Sequence, residues 1–161
     1  YPDELDDMIG CYCIGWALTR EDVEEYPQLV PAEGETDTGV IVCFSSEAEE
    51  ITDSFFIPEG SWSYSINPLN WRTDGTVADK SLNKGACFTD YEGNITEEIP
   101  QLTGAYIDKE RGALKVTDVT PEDYPAALTF LQDGEYHIYD YQFFYRNLQE
   151  NVEKRVEAYL G

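Results

Sequence analysis

The sequence contains a single histidine, His137, near its C-terminal end. It stands in the stretch YHIYDY, between an Asp133-Gly134 turn signal and a segment with the pattern of a long amphipathic helix. An imidazole acts as a general base when a carboxylate holds it in the required tautomer. The alternative at this position is a structural histidine packed between Tyr136 and Tyr139, and the position alone favours neither.

Three acidic residues are candidates for the partner of that imidazole. Asp74 is the first, because it follows a predicted strand and its loop and precedes His137 in the chain. Glu49, just beyond another predicted strand, is its rival, and the order of strands in the sheet decides between the two. Asp140 is nearest in sequence, but at the entry to a helix its alternative role is to cap that helix.

Two short apolar runs, at residues 11–16 and 40–45, lack the alternation of half-buried strands. Such runs are typical of parallel strands that are covered on both faces. The segment between them is long enough for a helix, with Thr19 as its predicted N-cap, and fits a β-α-β crossover. In open α/β sheets, ligand-binding and catalytic residues lie at the carboxyl ends of the strands. The residues that directly follow these two runs are therefore the first candidates for a functional site.

The remaining pattern predicts further elements downstream. A third strand is predicted at residues 63–69, and hairpins are predicted within 86–99 and 103–116. A closing helix is predicted over 141–160, because apolar residues recur there at helical spacing and should face a core: Phe144, Leu148, Val152, Val156 and either Tyr159 or Leu160. Residues 2–9 have the signals of a helix end.

Composition excludes several classes of function. The formal charge is −23, from 33 acidic against 10 basic residues, so the surface repels nucleic acids and anionic membranes. No apolar run approaches the roughly 20 residues of a membrane-spanning helix.

The four cysteines lie in apolar stretches, which favours buried free thiols over a disulfide or a metal site. They are Cys11, Cys13, Cys43 and Cys87. No metal or cofactor is predicted. The acidic surface suits an exported bacterial protein, although it does not fix the compartment.

Longer segments of the chain resemble a known family. CYCIGW, DTGVIVCFSSEAE, INPLNWRTDGTVADKSLNKGACF, IPQLTGAYID and YHIYDYQFFYRNLQENVEKRVEAYL together resemble an uncharacterised bacterial family of serine α/β-hydrolases that are lipase- or esterase-like. INPLNW and YHIYDYQFFYRNLQENV are the most specific parts. The resemblance implies that residues 1–161 are a single domain or half-domain, the C-terminal part of an α/β-hydrolase fold. That part is a mostly parallel sheet with flanking helices and added β-hairpins.

The nucleophile of such an enzyme is not apparent in this sequence. The G-x-S-x-G elbow does not occur, and the nearest candidate, EGSWSYS, lacks a second glycine at the required place. Neither Ser61 nor Ser63 is therefore predicted to be the nucleophile. The resemblance implies that the serine lies upstream of Tyr1, while the chain order of acid and then His137 agrees with the order in α/β-hydrolases.

These observations lead to two hypotheses of different classes. In the first, the chain supplies His137 and its acid, Asp74 or Glu49, to a serine hydrolase that acts on a small ester-type substrate without a cofactor. In the second, it is a non-catalytic α/β module that binds a partner. Both predict association, either with the missing N-terminal half on the CYCIGW side of the sheet or with a second copy through an exposed sheet edge. Trp16 and Trp71 are predicted to pack in the core, with an acyl pocket as the alternative.

Overall fold

A computed structural model describes residue 5 and residues 7–161, which form a mixed α/β structure with several small sheets. Most of the helix end predicted over residues 2–9 lies outside the described residues. The strands are β1 (Gly10–Tyr12), β2 (Val40–Val42), β3 (Ser46–Ala48), β4 (Ala86–Thr89), β5 (Ile95–Ile99), β6 (Ala105–Ile107) and β7 (Leu114–Val116). The helices are α1 (Arg20–Glu25), α2 (Tyr139–Phe143) and α3 (Tyr145–Leu160), with a short 3₁₀ helix at Lys80–Leu82.

The predicted parallel pair of strands is confirmed. β1 pairs in parallel with β2, with Gly10 opposite Val40, and α1 lies in the connection between them. Thr19 caps α1 as predicted, because its hydroxyl accepts from the backbone of Asp22 and the Asp22 carboxylate accepts from the Thr19 backbone. The ladder continues beyond the regular strands, since the Gly15 N–H donates to the Phe44 carbonyl at 2.8 Å.

The run from β2 through β3 is the central strand of the fold and is buried along its length. β3 pairs in parallel with β7, and β7 pairs antiparallel with β6. On the other side of β3, the Tyr136 N–H donates to the Ser46 carbonyl and the Ala48 N–H donates to the Gly134 carbonyl. Residues 134–136 therefore pair with the central strand beyond the point where β1 ends. His137, the next residue, consequently lies at the carboxyl end of β1.

The two predicted hairpins are confirmed, but the predicted third strand is not. β4 and β5 pair antiparallel around a turn at residues 90–94, and β6 and β7 pair antiparallel around residues 108–113. Residues 63–69 instead run as irregular chain with single hydrogen bonds, from Tyr64 N to Leu18 O and from Ile66 N to Cys43 O. The chain then turns at residues 68–70, and Trp71 has a positive φ of 54°.

The closing helix forms in two pieces, and its buried face differs from the predicted one. Phe144 is packed edge-on against Phe44 in the core, at the break between α2 and α3. Beyond it, polar residues are buried: the Arg155 guanidinium donates to the Gly34 carbonyl at 2.8 Å, and the Asn151 amide donates to the Glu35 carbonyl at 2.8 Å. Leu148 is buried as predicted, but Val152 is exposed, and both Tyr159 and Leu160, one of which was predicted to face the core, are exposed as well. None of the helices within the described residues is long and apolar enough to cross a membrane.

A buried ion cluster lies beneath the loop at residues 51–57. The Glu47 carboxylate accepts from Arg111 Nη1 at 2.5 Å and from Lys115 Nζ at 2.6 Å, and all three side chains are less than 10 % exposed. Arg111 also donates to the Ile51 carbonyl at 3.1 Å and to Ser54 Oγ at 3.0 Å. The two cations therefore join β3 and β7 to the loop, and they depend on Glu47 for their compensating charge.

The substitution Glu47→Gln should lower the free energy of unfolding by about 3–5 kcal/mol, because it leaves two buried cations without a counter-ion. Denaturant unfolding at neutral pH measures the loss. Glu49→Gln, an exposed position two residues along, is the matched control and should stay within about 0.5 kcal/mol of the wild type. Equal stability of the two variants would contradict the role given to the cluster.

Candidate functional site

His137 lies where β1, the loop at residues 51–57 and the start of α2 meet. Its ring stacks on Phe56, with centroids 4.3 Å apart and planes inclined by 30°. Nδ1 is buried, while 23 % of the side chain remains exposed. The imidazole is therefore held on its inner side and open on its outer side, which is the arrangement that a general base requires.

The carboxylate that faces His137 belongs to Asp140. Asp140 is fully buried, and its Oδ1 accepts a hydrogen bond of 2.6 Å from the backbone N–H of Ser46. Its Oδ2 lies 3.8 Å from His137 Nδ1, and neither of these two atoms has a hydrogen-bond partner in the described part of the chain. The separation is longer than a hydrogen bond, but a shift of less than about 1 Å would close it. Catalytic hydrogen bonds are often long in the absence of substrate.

The environment shifts the pKa values of the two groups in opposite directions. Burial raises the pKa of Asp140 to about 7, and the hydrogen bond from Ser46 only partly opposes this. Burial lowers the pKa of His137, and the backbone of Gly15 and the charge of Glu135 partly offset it. Both shifts favour the neutral forms, so near neutral pH an unprotonated imidazole is available to accept a proton.

Two residues beside the His137–Asp140 pair have positive φ angles, a backbone conformation that residues other than glycine rarely adopt. Gly15 has a φ of +77°, and a Cβ there would lie 2.7 Å from His137 Nδ1 and 2.8 Å from Asp140 Oδ2. Ile138, between the histidine and the acid, has φ 78° and ψ −46°, a strained conformation for a β-branched residue. Strain of this kind persists where the surrounding structure holds both neighbours in place, as it does here.

The structure does not bring the two preferred acids, Asp74 and Glu49, to the histidine. The Asp74 side chain is 42 % exposed, and its carboxylate forms an ion pair of 2.6 Å with Arg72, which holds the pKa of Asp74 well below its usual range. Glu49 is exposed as well and lies beside Tyr106. Within the described part of the chain, Asp140 is the one carboxylate within 4 Å of a His137 nitrogen. The predicted pairing of His137 with Asp74 or Glu49 is therefore not present, and the carboxylate nearest to His137 belongs to Asp140, three residues further along the chain.

An aromatic rim, formed by Trp16, Phe55, Phe56 and Phe130, extends from His137 to the surface. The ring centroids follow one another at 5.5 Å from Trp16 to Phe56, 5.2 Å from Phe56 to Phe55 and 4.9 Å from Phe55 to Phe130. Three of the four side chains are more than half exposed. Sequence reasoning missed this rim, although the adjacent phenylalanines in a polar stretch were a signal. The prediction that Trp16 packs in the core was wrong, while Trp71 is buried as predicted.

The other candidate groups have separate surroundings. Ser63 Oγ accepts from the Leu18 N–H, and Ser61 Oγ donates to the Pro58 carbonyl. The cysteines are free thiols, of which Cys43 and Cys87 are buried and Cys13 is exposed. The described residues contain no cluster of three or more potential metal ligands among histidine, cysteine, aspartate and glutamate.

No family model, curated protein or solved structure matches the chain. The geometry of the site therefore carries the functional argument.

Gly15→Ala should destabilise the protein and displace His137. The positive φ alone costs an alanine about 1–2 kcal/mol, and the added Cβ would also collide with His137 and Asp140. Gly60→Ala is the matched control, because Gly60 has a φ of +79° with nothing within 4 Å of its Cβ position. Denaturant unfolding should show a larger loss for Gly15→Ala, and the NMR signals of the single imidazole should move in that variant only. Equal losses with unmoved signals would contradict the close approach.

Asp140→Asn should gain stability relative to the wild type as pH rises. The folded-state pKa of Asp140 is about 7, above its ordinary value of 3.8, so its contribution is fully present below pH 3.8 and is lost as pH rises through 7. Asparagine keeps the neutral form and can still accept from Ser46, so the difference should grow between pH 4 and 8 to at most about 4 kcal/mol. Urea unfolding across this range measures it. Asp74→Asn should show the opposite trend or none, and a pH-independent Asp140→Asn difference would argue against the raised pKa.

Proposed function

We propose that this chain supplies the general base and its orienting acid, His137 and Asp140, to a serine hydrolase of α/β-hydrolase architecture that cleaves esters. The nucleophilic serine belongs to a polypeptide segment outside these 161 residues. The observation that carries the proposal is the approach of His137 Nδ1 to Asp140 Oδ2, two buried atoms 3.8 Å apart, beside a ring that stays open to the surface.

Each group has a defined role in this reaction. His137 takes the proton from the serine hydroxyl as the serine oxygen bonds to the ester carbonyl carbon, and the imidazolium then gives that proton to the departing alcohol. Water repeats the cycle on the acyl-enzyme and releases the acid. Asp140, in its ionised form, holds Nδ1 protonated and stabilises the imidazolium. With a pKa of about 7 for Asp140, activity should rise as pH passes through neutrality.

The position of the pair in the fold supports the proposal. His137 lies at the carboxyl end of β1, which belongs to a parallel pair joined by a connection that contains α1. Ligand sites in open α/β sheets occur at this end of the strands. A catalytic histidine in a loop ahead of the final helix also has the placement that the sequence resemblance implies. The acid departs from that pattern, because Asp140 follows His137 in the chain, whereas the acid of an α/β-hydrolase triad precedes the histidine.

The aromatic rim indicates the kind of ester. Trp16, Phe55 and Phe130 present apolar surface that continues to His137, so a substrate with a large apolar group gains by burying it there. The formal charge of −23 repels anionic substrates. A neutral ester with a long acyl chain or an aryl group fits both conditions.

A second candidate function is a binding module without catalysis. The same aromatic rim favours it, because exposed contiguous apolar patches mark interaction sites. In that case the His137–Asp140 pair is structural, and no serine in the protein reacts as a nucleophile.

The experiment is covalent labelling of the protein expressed from its complete gene. A fluorophosphonate probe should modify a serine outside these 161 residues, identified by mass spectrometry. His137→Ala should slow labelling by roughly 10²–10⁴-fold, the usual contribution of a general base. Asp140→Asn should slow it by up to about 10⁴-fold, the range for an orienting carboxylate in such triads.

The matched controls are Asp74→Asn and Glu49→Gln, which should label at the wild-type rate. The absence of any labelled serine would favour the binding module. Labelling of Ser61 or Ser63 would show that the nucleophile was assigned to the wrong part of the protein. Loss of labelling in Asp74→Asn but not in Asp140→Asn would overturn the choice of acid.

A further inference from the structure

An apolar groove lies on the side of the molecule formed by β1, α2 and α3. It has a volume of about 520 Å³ and is lined by Tyr12, Tyr141, Tyr145, Leu148, Gln149, Val152 and Glu153. Leu148 is the buried floor, while Tyr141 and Val152 are 47 % and 45 % exposed. The apolar lining residues of the two helices follow the spacing of one helical face. Of the two residues on this face that the sequence predicted to face the core, Leu148 is buried and Val152 is exposed.

The orientation of α3 explains why the groove is open. The face beside the groove is fixed by Asn151 and Arg155, which bind the carbonyls of the loop at residues 34–37. Arg155 is completely buried, so a rotation that hid Val152 would break these bonds. The apolar face is therefore held outward by the bonds of its own helix and is available to a partner.

A helix fits this groove better than an added strand. The outer edge of β1 is partly blocked, because the Tyr141 hydroxyl donates to the Tyr12 carbonyl at 3.0 Å. The spacings of three and four residues between Tyr145, Leu148 and Val152 are those that pack against a second helix.

The charge around the groove selects among possible helices. Glu153 lines it, and Glu157, one turn further along α3, is exposed. A second copy of the chain would bring the same acidic side chains and a further formal charge of −23 to the contact. Like charges thus disfavour self-association here, and a partner with lysine or arginine beside its apolar stripe is favoured.

We infer that the groove between β1 and α3 is the docking site for an amphipathic helix with basic flanks, supplied by another polypeptide segment. This inference is independent of the proposed catalytic role of His137. It also separates the two predicted modes of association, since it assigns this surface to a hetero-partner.

The test uses fluorescein-labelled peptides of about 18 residues, long enough to form a helix. One has leucines at helical spacing with lysines between them, a second has glutamate in place of lysine, and a third is a scramble of the first. Fluorescence anisotropy with the 161-residue chain at physiological salt should detect binding of the first peptide. Binding of the glutamate and scrambled peptides should be at least tenfold weaker.

Val152→Asp should weaken binding of the first peptide at least tenfold, whereas Val77→Asp, the same change at an exposed position outside the groove, should not. Circular dichroism checks that both variants remain folded. If the scrambled peptide bound as tightly as the first peptide, binding would reflect only the attraction of a polycation to an acidic protein, and the inference would be overturned. A dimer of the isolated chain in sedimentation, lost in Val152→Asp, would assign the groove to a second copy and also overturn it.

Discussion

The buried carboxylate of Asp140 is the constraint on which the rest of this structure depends. A carboxylate without water is stable only if it is neutral or well partnered. Here one oxygen accepts from the backbone of Ser46 at 2.6 Å and the other has His137 as its nearest base. The first contact ties the start of α2 to the central strand, and the second leaves a site that can hold or release a proton. The strained conformation of Ile138 is tolerated because both of its neighbours are fixed in this way.

The buried ion cluster provides the other half of the framework. Glu47, Arg111 and Lys115 hold the loop at residues 51–57, and that loop carries Phe56 onto the imidazole. A cluster of this kind is weak support for stability, because desolvation offsets most of the attraction between the charges. Its directional bonds to backbone carbonyls nevertheless fix the shape of a loop that has no regular secondary structure. The ion cluster beneath this loop thus fixes where the aromatic rim lies relative to His137.

The sequence predicted the parts of this fold that depend on local pattern. Apolar runs, turn residues and the Thr19 cap identified the parallel pair, α1 and both hairpins. It predicted that Asp74 or Glu49 lies beside His137, whereas Asp140 does. The approach of Asp140 depends on a positive φ at Ile138, which the periodicity of the sequence does not predict. The buried face of α3 was missed for a related reason: Arg155 is buried by loop carbonyls contributed from far away in the chain. Polar residues with tertiary partners override the apolar pattern, and only the folded chain reveals those partners.

The groove and the candidate site share one short helix. In α2, Asp140 points inward to His137, while its neighbour Tyr141 lines the groove and holds the Tyr12 carbonyl. Tyr12 lies in the strand that leads to Gly15, whose backbone packs against the same imidazole. The same short helix therefore contributes one residue to each of the two surfaces, and the hydrogen bond from Tyr141 to Tyr12 fixes that helix against the strand that leads to the imidazole.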